Sequence, residues 1–296
     1  MSFIELKRVS KRFGTLVVLN NLSLTIDRGQ SLVVIGASGT GKSVMLKHIV
    51  GLLRPDHGEV WIDGRRIDNL PERALVDVRT RFGFLFQMGA LFDSLNVAEN
   101  VGFPIVEHTH KPPDEVAKIV AHKLKQVGLP DAGSKMPGEL SGGQKKRVFL
   151  ARSLAQEGRI ILLDEPFTGI DVKTETAIIA LLRELRASGH LMLISTHNLG
   201  SVPDFCDQVV LINRTVLAAG PTAQVFTQAN LERAFGGVLR HFNLGGAALH
   251  SDEDPRRLTV LTDDERPLVL YGDERKAGAA APDPNTRSPA PPKRPS

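Results

Sequence analysis

The chain has 296 residues, 42 % of them hydrophobic, which is enough for one large α/β domain or two modest ones with a real core. Its formal charge of +4 arises at one end: from Arg275 onward there are five basic residues and one acidic one, so the body is close to neutral and no basic face for nucleic acid is expected. No apolar run reaches the roughly eighteen residues of a membrane span, MSFIELKRVS lacks the apolar stretch of a secretory signal, and the single Cys206 excludes an intramolecular disulfide.

Phe3 to Val9 alternates crudely and predicts a first strand, followed by a second ending near Ile26. Ser31 to Gly36, SLVVIG, is a short apolar, β-branched run that stops at glycine, the pattern of a buried parallel strand. After Lys42 the spacing of VMLKHIVGLL predicts a helix as far as Arg54-Pro55, and GEVWIDG and FGFLFQ read as further strands. Pro112 to Val127 predicts an amphipathic helix with Val116, Ile119, Val120 and Leu124 on one face, and Glu139 to Leu154, preceded by Pro137, predicts another. RIILLDEP and HLMLISTH are two more strands of the fully buried kind, separated by a helix around Thr176 to Arg186. Cys206 is expected to be a small buried hydrophobe. Residues 221 to 273 are more polar and mixed. The Pro- and Ala-rich stretch after them holds too few large apolar side chains to offset its ordering entropy, so disorder is expected there. Strands alternating with helices predict an α/β fold with a mainly parallel sheet.

The chemistry begins at Gly36 to Ser43, GASGTGKS, which fits G-x-x-x-x-G-K-S between an apolar strand and a helix. Gly36, Gly39 and Gly41 are expected to let the backbone wrap closely around phosphate, with Ala37, Ser38 and Thr40 between them. The following helix contributes its dipole and free amides. Lys42 is expected at the β- and γ-phosphates and Ser43 at Mg²⁺, as befits a nucleotide triphosphatase. In Ile161 to Pro166, ILLDEP, an apolar strand ends in two adjacent carboxylates at the edge of the sheet where ligands sit. Asp164 is placed to hold Mg²⁺ and Glu165 to accept a proton from an attacking water. His197 ends the next strand and reads as a polar sensor of the γ-phosphate, although a lone histidine is more often structural. Gln87, at a strand-to-loop junction, is placed to touch Mg²⁺ and water, but its type alone decides nothing. Leu140 to Arg147, LSGGQKKR, is a second phosphate-type helix start in one chain.

GASGTGKS, Gln87, LSGGQ, LLDEP, the TGID of Thr168 to Asp171 and STH stand in the order and rough spacing of ABC-transporter ATPase subunits. The resemblance covers about residues 3 to 226. It implies a P-loop fold with a parallel core, an antiparallel β subdomain and a helical insert at about 88–155, followed by an accessory segment at 227–273 and a tail at 274–296. It also implies that two copies pair head to tail, so that Ser141, Gly142, Gly143 and Gln144 of one close over the γ-phosphate held by Lys42 of the other. Asp171 would lie along that seam, and Phe13 would stack on adenine, where many members carry tyrosine. ATP and Mg²⁺ are the implied ligands. Integral membrane permease subunits and a substrate-binding protein are the implied partners, at the cytoplasmic face of the inner membrane.

Residues 1 to 137, through Phe84 to Ile105, FLFQMGALFDSLNVAENVGFPI, and through GASGTGKSVMLKHIVGLLRPDHGEVWIDG and LKQVGLP, resemble the ATPases of phospholipid transport systems that maintain outer-membrane lipid asymmetry. From about residue 138 onward, GELSGGQKKRVFLARSLAQEGRIILLDEP and STHNLGSVPDFCDQVVL resemble those of manganese, iron and zinc importers. Because family analogy docks the permease on residues 84 to 137, lipid is the expected cargo, with a metal ion as the alternative. A soluble, non-transport ATPase of the same family is the rival class, but such proteins commonly carry two cassettes or a long coiled-coil insertion. A metal site at His108–His110 is not expected, since such a pair on a polar loop is usually just solvated.

Overall fold

The computed structural model describes residues 2–85, 91–197, 199–235, 240–244, 256–262 and 268–273. In chain order it opens with strands β1 (Ser2–Phe13), β2 (Leu16–Asp27) and β3 (Ser31–Ile35), helix α1 (Lys42–Ile49), strands β4 (His57–Ile62) and β5 (Arg65–Arg66), helix α2 (Glu72–Arg79) and strand β6 (Phe82–Leu85). Helices α3 (Val97–His108), α4 (Pro113–Gln126) and α5 (Gly142–Ala155) come next, then strand β7 (Ile160–Asp164), helix α6 (Val172–Ala187), strand β8 (Leu191–Thr196) and helix α7 (Val202–Phe205). The chain continues with β9 (Gln208–Asn213), β10 (Thr215–Pro221), α8 (Thr222–Val225) and α9 (Gln228–Phe235). It closes with β11 (Arg240–Leu244), β12 (Arg256–Thr262) and β13 (Leu268–Asp273).

The central sheet runs β10-β9-β3-β8-β7-β6, parallel from β9 to β6 with β10 antiparallel at one edge. Its inner strands are buried on both faces, which is why they read as unbroken apolar runs. Alternation still sorts their side chains. Val33, Ile161, Leu163, Ile194 and Leu211 join one core cluster, with helices α3 to α6, while Val34, Leu162, Leu193 and Ile212 join another with α1 and the antiparallel sheet β2-β1-β4-β5. Leu231, Ala234 and Phe235 of α9 are buried in the first cluster. Cys206 is buried as expected, and burial pushes its thiol up to about 11, so it is not a reactive thiolate at neutral pH.

Several boundaries differ from the sequence expectation for local reasons. Helix α1 stops at Ile49 because Gly51 takes φ +69°, so GLL is a turn. Pro137–Glu139 is a short 3-10 turn and α5 starts at Gly142, capped by Ser141. Helix α6 begins four residues earlier than expected, at Val172, because Asp171 caps it. Helix α3 has no counterpart among the elements expected from the sequence. It forms despite Pro104, with an Asn96–Glu99 capping box at its start. Fully buried Asn100 bonds Phe92 and Leu95 backbone groups and ties the preceding loop to it.

Among the described residues no helix is long and apolar enough to cross a membrane.

Candidate active site

Because β3, β7 and β8 are parallel neighbours, their C-terminal ends lie along one edge of the sheet. Residues 36–43 leave β3 there, Asp164 ends β7, and His197 comes directly after β8. The three sequence motifs therefore meet at one place, which is where open α/β sheets bind ligands.

The loop is shaped by its neighbours. A Cβ on Gly36 would sit 2.3 Å from the Ile212 carbonyl, and one on Gly41, at φ +101°, would sit 2.8 Å from the Val18 carbonyl. These two glycines are thus demanded by packing against β9 and β2, whereas a Cβ on Gly39, at φ +78°, would meet open space. The expected access of all three to phosphate is joined, at Gly36 and Gly41, by a packing demand of the fold itself. Thr40 Oγ1 donates to Ala37 O at 2.8 Å and pins the loop, leaving Ser38 and Gly39 exposed. Arg214 N donates to Thr40 O at 2.9 Å from the other side. Gly41 precedes α1 without a side-chain cap, so the first amides of that helix stay available to an anion.

Lys42 is only 6 % exposed and donates to Gly36 O at 2.6 Å and Ala37 O at 3.2 Å. Its Nζ lies 3.4 Å from Glu165 Oε1, and His197 Nδ1 lies 2.7 Å from Glu165 Oε2. Burial pushes the Glu165 carboxyl up, but the His197 hydrogen bond and the Lys42 charge outweigh it and hold the group below the usual carboxylate range. Glu165 adopts φ +54°, a left-handed conformation that costs a non-glycine residue about 1 kcal/mol or more. Such backbone strain is typical of working sites.

Asp164 is 2 % exposed and accepts a hydrogen bond from Ser195 Oγ at 2.5 Å. Ser195 is the serine of the STH motif, but the sequence assigned it no role of its own, although a serine inside a fully buried strand was a usable signal. Ser43 lies half-buried in the first turn of α1. Its hydroxyl and the Asp164 carboxylate are hard oxygen donors of the kind Mg²⁺ prefers. Among the described residues no group of three His, Cys, Asp or Glu side chains forms a cage.

The second phosphate-type motif lies apart. Ser141 and Gly142 are exposed, and Ser141 Oγ accepts from Gln144 N while Gln144 Oε1 accepts from Ser141 N. Asp171 caps α6 by accepting from Thr174 N and Oγ1, and a Cβ on Gly143 would sit 3.4 Å from Asp171 Oδ2. Two helix N-termini thus lie side by side. Among the described residues no hydrogen bond or ion pair joins Ser141–Gln144 to Gly36–Ser43. Phe13 ends β1 and is 47 % exposed. The β1–β2 hairpin that carries it reaches the loop through Val18 and Leu19 at Gly41. Gln87 lies outside the described residues.

A parallel sheet that gathers such a loop and a carboxylate pair at one edge is a P-loop nucleotide triphosphatase. Residues 19–168 match the family described as ABC transporter. The chain is 51 % identical to the Yersinia pestis chelated iron transport system membrane protein YfeB, over 84 % of each chain. It is 39 % identical to the Haemophilus influenzae intermembrane phospholipid transport system ATP-binding protein MlaF, over 78 % of this chain and 88 % of that one. The ATP-binding cassette MJ0796, solved as a dimer in a post-hydrolysis state with ADP and Pi, superposes with a TM-score of 0.69 at 32 % identity, over 74 % of this chain and 98 % of that one. The chain belongs to the ATP-binding, ATP-hydrolysing subunits of ABC transporters. Relatives of both the phospholipid and the manganese or iron kind are found, in line with the two resemblances in the sequence.

Proposed function

We propose that two copies of the chain pair head to tail and hydrolyse ATP at two shared sites, energising a separate membrane permease at the cytoplasmic face of the inner membrane. The observation that carries this reading is the buried cluster of Lys42, Glu165 and His197 beside the uncapped start of α1, while Ser141 and Gly142 are exposed and Ser141 bonds Gln144 of its own helix. A helix start that is exposed in one chain is suited to the phosphate of another.

In this reading Gly36 to Ser43 wrap the phosphates, with Lys42 moving from the Gly36 and Ala37 carbonyls to the β- and γ-phosphates. Phe13 stacks on adenine. Glu165 accepts the proton of the attacking water, which its depressed pKa permits at neutral pH. His197 orients that carboxylate and senses the γ-phosphate. Ser43 and Asp164, with Gln87, would hold Mg²⁺, whose charge offsets that of the phosphates. Ser141, Gly142, Gly143 and Gln144 of the partner copy close the site, with Asp171 along the seam. Lys42→Ala is expected to weaken ATP binding about tenfold or more, through loss of a charge-assisted contact. ADP binding should suffer less, because it lacks the γ-phosphate. Fluorescent-nucleotide titration checks this, and unchanged ATP affinity rejects the assignment of Lys42.

The permease is placed in a groove of about 430 Å³ lined by Val76, Phe84, Phe103, His108, Phe149 and Arg152. There the Arg152 guanidinium lies over the rings of Phe92 and Phe103, at 4.7 and 5.6 Å. For the cargo, 51 % identity to YfeB over 251 residues supports iron, and 42 % identity to a manganese transport ATP-binding protein supports manganese, more strongly than lipid. The lipid reading rests on the resemblance of residues 1 to 137, of which Phe84, Leu85, Phe103 and Pro104 line the groove, and on 39 % identity to MlaF. A substrate-binding protein is the expected third component of an importer. Copurification of the tagged chain from membranes tests both readings. A lipid-transport permease in the complex removes the metal reading, and a metal-importer permease removes the lipid one.

A further inference from the structure

Strand β8, LMLIST, is buried along its whole length, and Ser195 within it is 0 % exposed. A hydroxyl there needs a partner, and this one has two. Ser195 Oγ donates to Asp164 Oδ1 at 2.5 Å and accepts from Glu165 N–H at 3.2 Å. The carbonyl of the same residue accepts that N–H at 3.1 Å. The parallel register of β7 and β8 sets Ser195 opposite Asp164, so the contacts arise from strand pairing rather than from a loop. One residue therefore grips both carboxylate positions. It holds the side chain of the first and the backbone of the second.

The second grip matters because Glu165 is in the left-handed region at φ +54°, where a glutamate does not stay without restraint. From that backbone its carboxylate reaches Lys42 and His197. An alternative rotamer of Asp164, or a relaxed Glu165 backbone, would break the alignment of both groups at once.

We propose that Ser195 is a positioning residue for ATP hydrolysis, its hydroxyl fixing the Asp164 carboxylate and, with its own carbonyl, the strained backbone of Glu165. This rests on the roles given above to Asp164 and Glu165. A valine or alanine at this position would fill the strand equally well but could make neither hydroxyl contact, so a purely structural role would show in stability alone.

The experiment compares full-length wild type, Ser195→Ala and Ser195→Thr, with thermal melts to normalise for folding. Ser195→Ala is expected to lower kcat about tenfold or more, since small misplacements of reacting groups are costly. Nucleotide affinity in EDTA should stay within about twofold, because the loop itself is untouched. The gain in affinity for a non-hydrolysable ATP analogue on adding Mg²⁺ should shrink severalfold, a readout independent of turnover. Ser195→Thr, which keeps the hydroxyl, should restore both. The proposal is overturned if Ser195→Ala retains wild-type kcat and Mg²⁺ response. It is equally overturned if the loss is matched by weaker binding in EDTA and is not rescued by threonine. Should Ser195→Ala not fold, Ser195→Cys, with its weaker donor, must fall between wild type and an inactive protein, and wild-type behaviour there overturns the proposal. Glu165→Gln separates this from the wider reading. If that variant still turns over, the site roles fail; if it is inactive while Ser195→Ala is normal, only the role of Ser195 fails.

Discussion

Glu165→Gln is expected to bind ATP with near wild-type affinity yet lose turnover by about 100-fold or more, the effect of removing a general base. Glu165 sits between Lys42 and His197, and their combined pull keeps its carboxyl ionised well below neutral pH. A carboxamide has almost the same shape but cannot take a proton from water. The fold should survive, because Lys42 keeps its two carbonyl acceptors at Gly36 and Ala37. Loss of the negative charge also removes repulsion against the γ-phosphate, so an ATP-bound dimer should accumulate. Phosphate release and size-exclusion chromatography with ATP measure the two effects. Wild-type turnover in Glu165→Gln would falsify the assignment of the base.

The second large effect is expected at Ser141→Arg. Ser141 is exposed and its hydroxyl accepts from Gln144 of its own helix, so ATP binding to the Lys42 loop of the same chain should be nearly unchanged. Hydrolysis should collapse by about 100-fold, because a bulky side chain occupies the bare helix start that must approach the partner's γ-phosphate. Losing the cap alone costs about 1 kcal/mol of helix stability, and Ser141→Ala shares that loss without the bulk. The difference between the two variants therefore isolates closure. Mixing Ser141→Arg with Lys42→Ala is the stronger test. In their heterodimer one site combines an intact loop with an intact Ser141, while both defects fall together in the other. Partial recovery of activity is expected on mixing, and light scattering with ATP and no Mg²⁺ should show heterodimers. A Ser141→Arg protein that dimerises and hydrolyses like wild type reduces the motif to an ordinary helix start.

Much of this was legible in the chain because each motif is local. GASGTGKS, ILLDEP and STH declare their strands by apolar runs and their chemistry by the glycines, carboxylates and histidine at the strand ends, and the structure brings all three to one sheet edge. LSGGQ was legible as a helix start, and the Ser141–Gln144 capping box bears that out. Helix boundaries were less so. Pro137 invited an early start for α5, and Pro104 hid α3, since sequence signals cannot weigh a proline against the buried contacts of Val97, Val101 and Ile105.

The sequence by itself determined the chain order of the motifs, the identity of the phosphate loop and the presence of two adjacent carboxylates, because these depend on residue type and short spacing. Only the tertiary structure decided which groups touch. It placed Glu165 between Lys42 and His197, which are separated from it by more than a hundred residues on one side and by a helix and strand on the other. It packed Gly36 and Gly41 against neighbouring strands, and it turned Ser195, to which the STH motif gave no role of its own, into the partner of both carboxylate residues. The physical reason is strand pairing. Parallel register aligns residues distant in the chain, and a buried polar atom must then find its partner among whatever that register sets beside it.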